Sequence, residues 1–396
     1  MTAVPAVIGF ASPVADVLEW GGAPAVALDR WNEAEFERSV RPAAGSFLHI
    51  AVRGFFANGG RRCVVLVVPP DAGSAGLVRV LQRGGPLEDR DDIDLICVPD
   101  AVSPRVGDFD PYAVHAAALA HCEATGDRFA ILDARDFSPA GDQAPVNDVL
   151  GTAMPLKSPF GALYFPFIAV DRSGDGQTPM TPSEGSHQWR NLPRPRLRDH
   201  PGRIAFGPPC GHIAGLFARI DARVGPQRAP ANIALEDAVD VSFRLSEEQH
   251  ALLNDGGVNC LRNIRGRGIE VGGARTRSGH SDWAYISTAR VILGFRRWLA
   301  VGMRDLVFEP LSTELWDRIR LRLVAHCLAL LRSGALAGDD AAQAFFVKCD
   351  EETNRPNEVD LGRVVALVGL APSVPAEFII VRVEHDASGV TVSSLA

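Results

Sequence analysis

Three aspartates have the residue type and the placement best suited to chemistry. Asp100 follows one apolar run that predicts a buried strand, and Asp133 and Asp136 follow the next. The carboxyl ends of parallel strands are where α/β enzymes build their sites. Carboxylates placed there could bind Mg²⁺ or act as general acid and base. They could instead cap loops and the helices that follow the strands, and the sequence favours this structural role.

Other chemistry-bearing motifs are missing. The ten histidines form no H-x-x-x-H pair and the seven cysteines no C-x-x-C pair, so neither a zinc site nor a disulfide framework is predicted. No glycine-rich nucleotide motif occurs. We therefore expect no metal and no cofactor. The segment Gly151–Pro155 resembles the serine motif of subtilisin-like proteases, but Ala153 stands in the nucleophile's place and cannot form an acyl-enzyme.

Composition and charge exclude two classes of partner. The net charge is −8, whereas nucleic-acid binding needs a surplus of positive charge. No run of about 18 apolar residues is present, so direct membrane insertion is not expected. The first dozen residues carry no Lys or Arg, so no secretory signal is predicted and we expect assembly in the cytoplasm. Only two of the 40 basic residues are lysine, and an excess of arginine is a weak indication of protein contacts.

Strands and helices are predicted to alternate around these aspartates. Cys63–Val68, Ile93–Val98 and Phe129–Leu132 are apolar runs typical of strands buried on both faces. A helix between the last two begins at a capping Asp110 and ends at Gly126. This pattern predicts an α/β fold with a parallel sheet and crossover helices.

The chain as a whole is predicted to contain two α/β regions and a terminal segment. A shift in pattern near Ser246 separates the two regions, and the second holds two long helices, Ile286–Arg304 and Leu315–Arg332. The predicted segments are an N-terminal strand and lead-in (1–44), an α/β domain (45–245) with Pro- and Arg-rich loops at 138–204, an inner α/β domain (246–376) and C-terminal strands (377–396).

A series of phrases gives the strongest signal. The first two are Ser46–Gly60, which reads SFLHIAVRGFFANGG, and Pro208–Gly215, which reads PPCGHIAG. Shorter phrases follow in order: Ala218–Asp221, Ala229–Asn232, Gly273–Thr276, Trp283–Ile286, Phe308–Pro310, Leu315–Trp316, Gly334–Gly338, Cys349–Asp350, Thr353–Asn354, Ala371–Pro372 and Pro375–Phe378. Each is weak alone, but together they resemble the tail sheath proteins of contractile phages and of phage tail-like contractile injection systems.

The resemblance implies a structural protein. Its subunits would form hexameric rings, stacked as a helix around an inner tube protein, and contraction would drive the tube through a target membrane. Partners would be copies or paralogues of the chain, the tube, the baseplate and a tail terminator, within a particle that lysis would release. The middle domain would be similar to a non-catalytic subtilisin-like sheath domain.

The resemblance also implies roles for two groups of residues. The apolar C-terminal strand would leave its own sheet and complete a neighbour's sheet. An arginine-rich stretch could face the tube or an interface. The strand residues are Phe378, Ile379, Ile380, Val381, Arg382 and Val383, and the arginines are Arg262, Arg265, Arg267, Arg275 and Arg277.

One departure from the family pattern suggests a specialised position. Val4 to Phe10 already reads as the first core strand, so we expect the extended donor arm that usually precedes it to be absent. A ring at the end of the sheath, next to the baseplate, is therefore one hypothesis and the trunk of the sheath is the other. An alternative from another functional class is an α/β enzyme that uses Asp100, Asp133 or Asp136.

Overall fold

The computed structural model describes residues 3–12, 18–20, 23–88, 90–103, 110–135, 144–171, 204–306, 309–373, 379–386 and 389–395. These form two compact units. Unit 1 contains Met1–Arg223 and Pro230–Gly279, and unit 2 contains Val224–Ala229 and His280–Ala396. Asp136 and Phe378, both singled out in the sequence, lie outside the described residues.

Unit 1 contains twelve described strands and seven described α-helices. The strands are β1 (Pro5–Phe10), β2 (Leu18–Trp20), β3 (Ala23–Leu28), β4 (Cys63–Val68), β5 (Leu95–Cys97), β6 (Phe129–Asp133), β7 (Gly161–Phe165), β8 (Ile168–Asp171), β9 (Ile204–Gly207), β10 (Asp240–Val241), β11 (Val258–Ile264) and β12 (Gly268–Val271). The helices are α1 (Glu33–Ser39), α2 (Leu48–Ala57), α3 (Gly73–Leu81), α4 (Pro111–Thr125), α5 (Ala144–Ala153), α6 (Cys210–Arg223) and α7 (Glu247–Asp255).

Most of these strands form one nine-stranded sheet in the order β12-β11-β7-β6-β5-β1-β4-β3-β2. The six strands from β11 to β4 in that order are parallel to their neighbours, and β12, β3 and β2 are antiparallel additions at the two edges. Every residue of β1, β4 and β6 is buried. Continuous apolar strands of this kind are expected where helices cover both faces. The predicted α/β class is confirmed.

The ends of the crossover helices follow from their sequence. Asp110 accepts a hydrogen bond from the Ala113 amide (3.0 Å) at the start of α4, and Pro111 is its first residue. Gly126 ends the helix with φ of 66°, a conformation that glycine adopts without strain. Ser246 and Gln249 form a reciprocal capping box at the start of α7.

Unit 2 is a helix pair on an antiparallel sheet. Its helices are α8 (Ile286–Gly302), α9 (Thr313–Arg332), α10 (Ala341–Ala344) and α11 (Pro356–Asp360), and its strands are β13 (Phe345–Lys348), β14 (Val364–Leu370), β15 (Ile379–Asp386) and β16 (Gly389–Leu395). The strand order is β13-β14-β15-β16. One stripe of α9 lies in the apolar core of this unit: Leu315, Ile319, Leu323 and Cys327.

The structure divides the chain at a different place from the pattern shift near Ser246. Strand β11 pairs in parallel with β7, with Val258 opposite Leu163, so α7, β11 and β12 extend the sheet of unit 1. The units separate at Gly279 and His280 instead. The described part of the stretch predicted as Pro- and Arg-rich loops contains helix α5 and the two strands β7 and β8, which Pro166 and Phe167 separate. No described helix has the length and hydropathy needed to cross a membrane.

Candidate functional site

Asp100 connects three segments of unit 1 through its carboxylate. Its Oδ2 accepts hydrogen bonds from the Phe10 amide (2.6 Å) and the Ser46 hydroxyl (2.7 Å), and its Oδ1 accepts from the Phe47 amide (2.5 Å). The residue is 2% exposed. Burial raises the pKa of Asp100 to about 6, and the three hydrogen bonds oppose that rise. The carboxylate thus joins the end of β1 to the start of α2.

Asp133 does the same for a second helix. Its Oδ1 accepts from the backbone amide of Cys210 (2.9 Å), at the first residue of α6. Its Oδ2 is buried and has no hydrogen-bond partner among the described residues. Burial raises the pKa of Asp133 to about 7, and hydrogen bonds from the thiol and the backbone amide of Cys210 lower it by less.

These two aspartates therefore have a structural role, but the helices whose starts they bind, α2 and α6, are distant in sequence and are not the helices that follow their strands. Both carboxylates are directed at backbone amides within the fold, and both residues are almost completely buried. In the described part of the chain, no group of three or more His, Cys, Asp or Glu could hold a metal ion. The geometry gives the enzyme hypothesis no support.

The two longest family-like phrases meet where α2 packs on α6. A Cβ atom at Gly211 would lie 2.0 Å from the carbonyl oxygen of Ala51, and one at Gly215 would lie 2.3 Å from that of Phe55. At Gly54 a Cβ would lie 2.1 Å from the His212 ring. Only glycine lets the two backbones come this close. We call this the α2–α6 contact.

Buried polar groups close the end of this contact. Asn58 is fully buried, donates to the carbonyls of Gly54 (2.9 Å) and Glu236 (3.0 Å), and accepts from the Glu236 amide (2.9 Å). Arg53 forms an ion pair with Asp237 at 2.6 Å. Burial, with a smaller contribution from Arg53, lowers the pKa of His212 to about 3, so its ring is neutral. The glycines, Asn58 and Arg53 of the two phrases thus each have a defined contact, and the partner of Arg53, Asp237, was not indicated by any spacing in the sequence.

The predicted arginine surface is only partly a surface. Arg265 is exposed in the turn between β11 and β12, and Arg262 and Arg267 flank it, paired with Glu247 and Glu270. Arg275 is half-buried and donates its backbone amide to Asn259 Oδ1 (2.7 Å).

Arg277 does not belong to that surface. It is 1% exposed, and its guanidinium donates to the backbone carbonyls of Leu156 (3.1 Å), Gly256 (2.6 Å), Gly257 (2.8 Å) and Ala153. Burial lowers the pKa of Arg277 to about 10. This arginine ties α5 to the end of α7, and the expectation that it faces a tube or an interface is wrong because no part of its charge is free to reach one.

The C-terminal strand lies in the middle of its sheet. Strand β15 pairs along its length with β14 on one side and with β16 on the other. Ile379, Val381 and Val383 are buried in the core of unit 2, while Ile380 and Arg382 alternate with them on the other face and are half-buried. In the described residues, β13 and β16 each pair on one side only. The strand named in the sequence is thus one of the two inner strands, and the open edges of the described sheet belong to β13 and β16.

Comparisons with known proteins agree with this geometry. The phage tail sheath protein central domain matches residues 175–277 and the phage tail sheath C-terminal domain matches residues 278–385. A chain of the cryo-EM structure of the anti-feeding prophage baseplate is 26% identical with a TM-score of 0.71, covering 96% of this chain and 91% of that one. A chain of the contracted anti-feeding prophage helical sheath is 25% identical with a TM-score of 0.71, covering 96% and 92%.

A further similarity shows the same fold. A chain of the contracted PVC sheath complex, from an extracellular contractile injection system, has a TM-score of 0.68 at 23% identity and covers 96% of this chain and 90% of that one. None of the curated proteins compared with the chain matches it. The two domain matches together span more than half of the sequence. The chain belongs to the phage tail sheath family, and it is a structural protein rather than an enzyme.

Proposed function

We propose that this chain is the subunit of a contractile sheath, arranged as rings of six around an inner tube, whose contraction drives the tube through a target membrane. The observation that carries the proposal is the similarity over 96% of the chain to a contracted helical sheath. A match of equal quality to a baseplate described as 6-fold symmetrised supports the ring. An interface that repeats along an axis without closing builds a tube from such rings.

Electron microscopy of the purified chain tests this assembly. We expect rings or hollow tubes, alone or after addition of the cognate tube and baseplate proteins. Particles that remain single copies in the presence of all those partners would contradict the proposal.

The rings are linked by exchange of the C-terminal hairpin. Because β15 is an inner strand, it cannot leave alone without breaking two ladders, but β15 and β16 can move together. In a neighbour, the hairpin would make the same pairs with β14 that it makes at home, and a swap of identical contacts costs little. The residues moved then include Ile379 to Val383.

A pair of cysteines reads out the exchange. Leu367 and Arg382 face each other across β14 and β15, and both are half-buried, so Leu367→Cys with Arg382→Cys gives a closable pair. In assembled particles we expect oxidation to produce covalent ladders of subunits, because the two strands come from different copies. The seven native cysteines are all buried and do not compete.

A second pair serves as the control. Phe346 and Gly369 face each other across β13 and β14, and the ring of Phe346 fills the space above Gly369, so replacing both with cysteine removes the clash. This pair should close within one copy. The exchange hypothesis would be rejected if the control pair gave covalent ladders of subunits, or if the first pair gave only disulfides within one copy.

The turn between β11 and β12 is the proposed tube-facing or interface surface, formed by Arg262, Arg265, Arg267 and the neighbouring Arg275. The exposed charge of Arg265 supports this. Arg265→Glu should weaken co-sedimentation with the tube while leaving the fold intact, and it should do so less at high salt, since screening already weakens the wild-type contact. If the Arg265→Glu variant and the wild type co-sedimented equally with the tube, the proposed surface would be contradicted.

The final part of the proposal is a position next to the baseplate, in a particle assembled in the cytoplasm and released by lysis. The 26% identity to a chain of a baseplate structure supports it. Cryo-EM of the native particle decides between the two positions: density for this chain in the terminal ring alone would assign it to that ring, and density in every ring would assign it to the trunk.

A further inference from the structure

An open pocket lies beside the α2–α6 contact and has no role in the functions above. Its volume is about 700 Å³, and it is lined from α2, from the turn after α2, from residues 29–31 and from Asp237. Five lining residues belong to the phrase Ser46–Gly60 or directly follow it: Arg53, Phe56, Ala57, Gly60 and Arg61. We call it the Trp31 pocket.

The base of the Trp31 pocket is held in a fixed geometry. Arg53 is anchored by Asp237 (2.6 Å) and donates to the carbonyl of Asp171 (3.0 Å). The Trp31 ring is supported by Phe36 and His49, each with its ring centroid 5.2 Å away. A pocket whose walls are already positioned binds without the entropic cost of ordering them.

The rim carries positive charge that the fold does not neutralise. Arg30 and Arg61 are exposed and have no ion-pair partner among the described residues. Of the two aspartates in the lining, Asp237 binds Arg53, and Asp29, whose side chain is 73% exposed, lies 3.5 Å from Arg62, which is not part of the lining. Arginine therefore outnumbers aspartate in the lining by three to two. The pocket therefore offers two free guanidinium groups in a protein whose net charge is −8.

The walls offer apolar area next to these charges. Trp31 and Phe56 are both half-buried, so each ring keeps a face or edge toward the pocket. Aromatic side chains and arginine are the residue types that contribute most to protein interfaces. Two free arginines are too few for the phosphate neutralisation that nucleic-acid binding needs.

We propose that the Trp31 pocket binds an acidic peptide segment of a partner protein, in which a large apolar side chain lies next to carboxylates. The apolar side chain packs between Trp31 and Phe56, and the carboxylates pair with Arg30 and Arg61. Guanidinium groups pair with carboxylates in planar, bidentate geometry, which fixes the orientation of the segment. This function is independent of the ring contacts and of the exchanged hairpin.

Fluorescence anisotropy with a defined probe tests the proposal. The probe is a labelled hexapeptide, Gly-Glu-Phe-Glu-Asp-Gly, and the comparison peptides replace its carboxylates by amides or its phenyl group by hydrogen. We expect the probe to bind the full-length chain more tightly than either comparison peptide. Arg30→Glu and Arg61→Glu should each weaken binding roughly fivefold, the size expected for loss of one exposed ion pair.

Arg79→Glu is the matched control. Arg79 is also an exposed arginine of unit 1 without an ion-pair partner in the described part of the chain, but it lies in α3 outside the lining, so its reversal should leave binding unchanged. Circular dichroism establishes that all three variants fold. The proposal would be overturned if the probe failed to bind or if the amide peptide bound equally well. It would also be overturned if Arg79→Glu lost as much affinity for the probe as the other two variants, or if inorganic phosphate alone displaced the probe.

Discussion

The α2–α6 contact of unit 1 and the C-terminal sheet of unit 2 are stabilised in opposite ways. The first depends on glycines at which no side chain fits and on buried polar groups whose partners are fixed, such as Asn58. The second depends on alternating apolar residues of β15 and has open edges at β13 and β16 among the described strands. Backbones in van der Waals contact tolerate no rearrangement, whereas a sheet edge accepts another strand. The α2–α6 contact of unit 1 therefore leaves less room for rearrangement than the edges of the unit 2 sheet.

The largest effect should follow from adding one methyl group to the α2–α6 contact. In Gly211→Ala the new Cβ would lie 2.0 Å from a backbone carbonyl oxygen, so α6 must move. We expect a loss of about 3 kcal/mol in the free energy of unfolding of unit 1, the upper end of the usual cost of overpacking, because the added atom meets backbone. Hydrogen exchange resolved by segment measures it, with unit 2 unaffected.

Gly151→Ala is the control for that substitution. Gly151 lies in helix α5, and a Cβ added there would meet no described atom within 4 Å, so alanine should be neutral or stabilise by about 0.5 kcal/mol. Equal destabilisation by the two variants would show that close packing is not what stabilises the α2–α6 contact.

Asp133 should make unit 1 less stable as the pH rises. A pKa raised from 3.8 to about 7 means that the folded state keeps a proton that the unfolded state loses. The stability from this group is complete below pH 4 and is lost as the pH rises through 7, by up to about 4 kcal/mol. Buried histidines such as His212 change stability in the opposite direction below pH 6.5.

The test is therefore the difference between the wild type and Asp133→Asn in urea unfolding from about pH 4.5 to about pH 8.5, which brackets the ionisation. The amide keeps an acceptor for the Cys210 amide and cannot ionise, so its relative stability should increase with pH. A constant difference across that range would contradict the assigned protonation.

In unit 2, Leu323→Ala should destabilise by about 3 kcal/mol through the cavity it leaves, because Leu323 is fully buried in the core. Leu321, two residues earlier on α9, is 63% exposed, and Leu321→Ala should change stability by less than about 0.5 kcal/mol. Thermal unfolding measures both. If Leu323→Ala also lowered the protection of unit 1 amides from hydrogen exchange, the two units would not be energetically separate.

The smallest effect should come from the cap of α9. The Ser312 hydroxyl accepts from the Leu315 amide (3.4 Å), and Ser312→Ala should cost about 1 kcal/mol. Ser312→Asp keeps an acceptor and should remain close to the wild type. Equal losses in both variants would mean that the side chain acts by packing and not as a cap.

Local signals predicted much of this fold. The continuous apolar run of β4 and the Asp110 cap and Gly126 end of α4 each depend on neighbours close in sequence, and the structure has both elements. The family-like phrases also pointed correctly to the sheath family. The glycines of these phrases indicated that another part of the chain comes close, but they did not indicate which backbone segment it is.

The α/β class and the helices and strands named from the sequence could be read from the amino-acid order, because hydrophobic period and capping are local properties of the chain. The family could be read from the order of the phrases. Three outcomes became visible only in the folded molecule: β11 joins the sheet of unit 1, Arg277 is buried, and β15 is an inner strand with β16 outside it. Each of these outcomes depends on which distant segment of the chain forms the hydrogen bond with a backbone group or the contact with a charged side chain. Arg53 and Asp237, 184 residues apart, show the same rule: no spacing in the sequence can specify a partner that only folding brings within 2.6 Å.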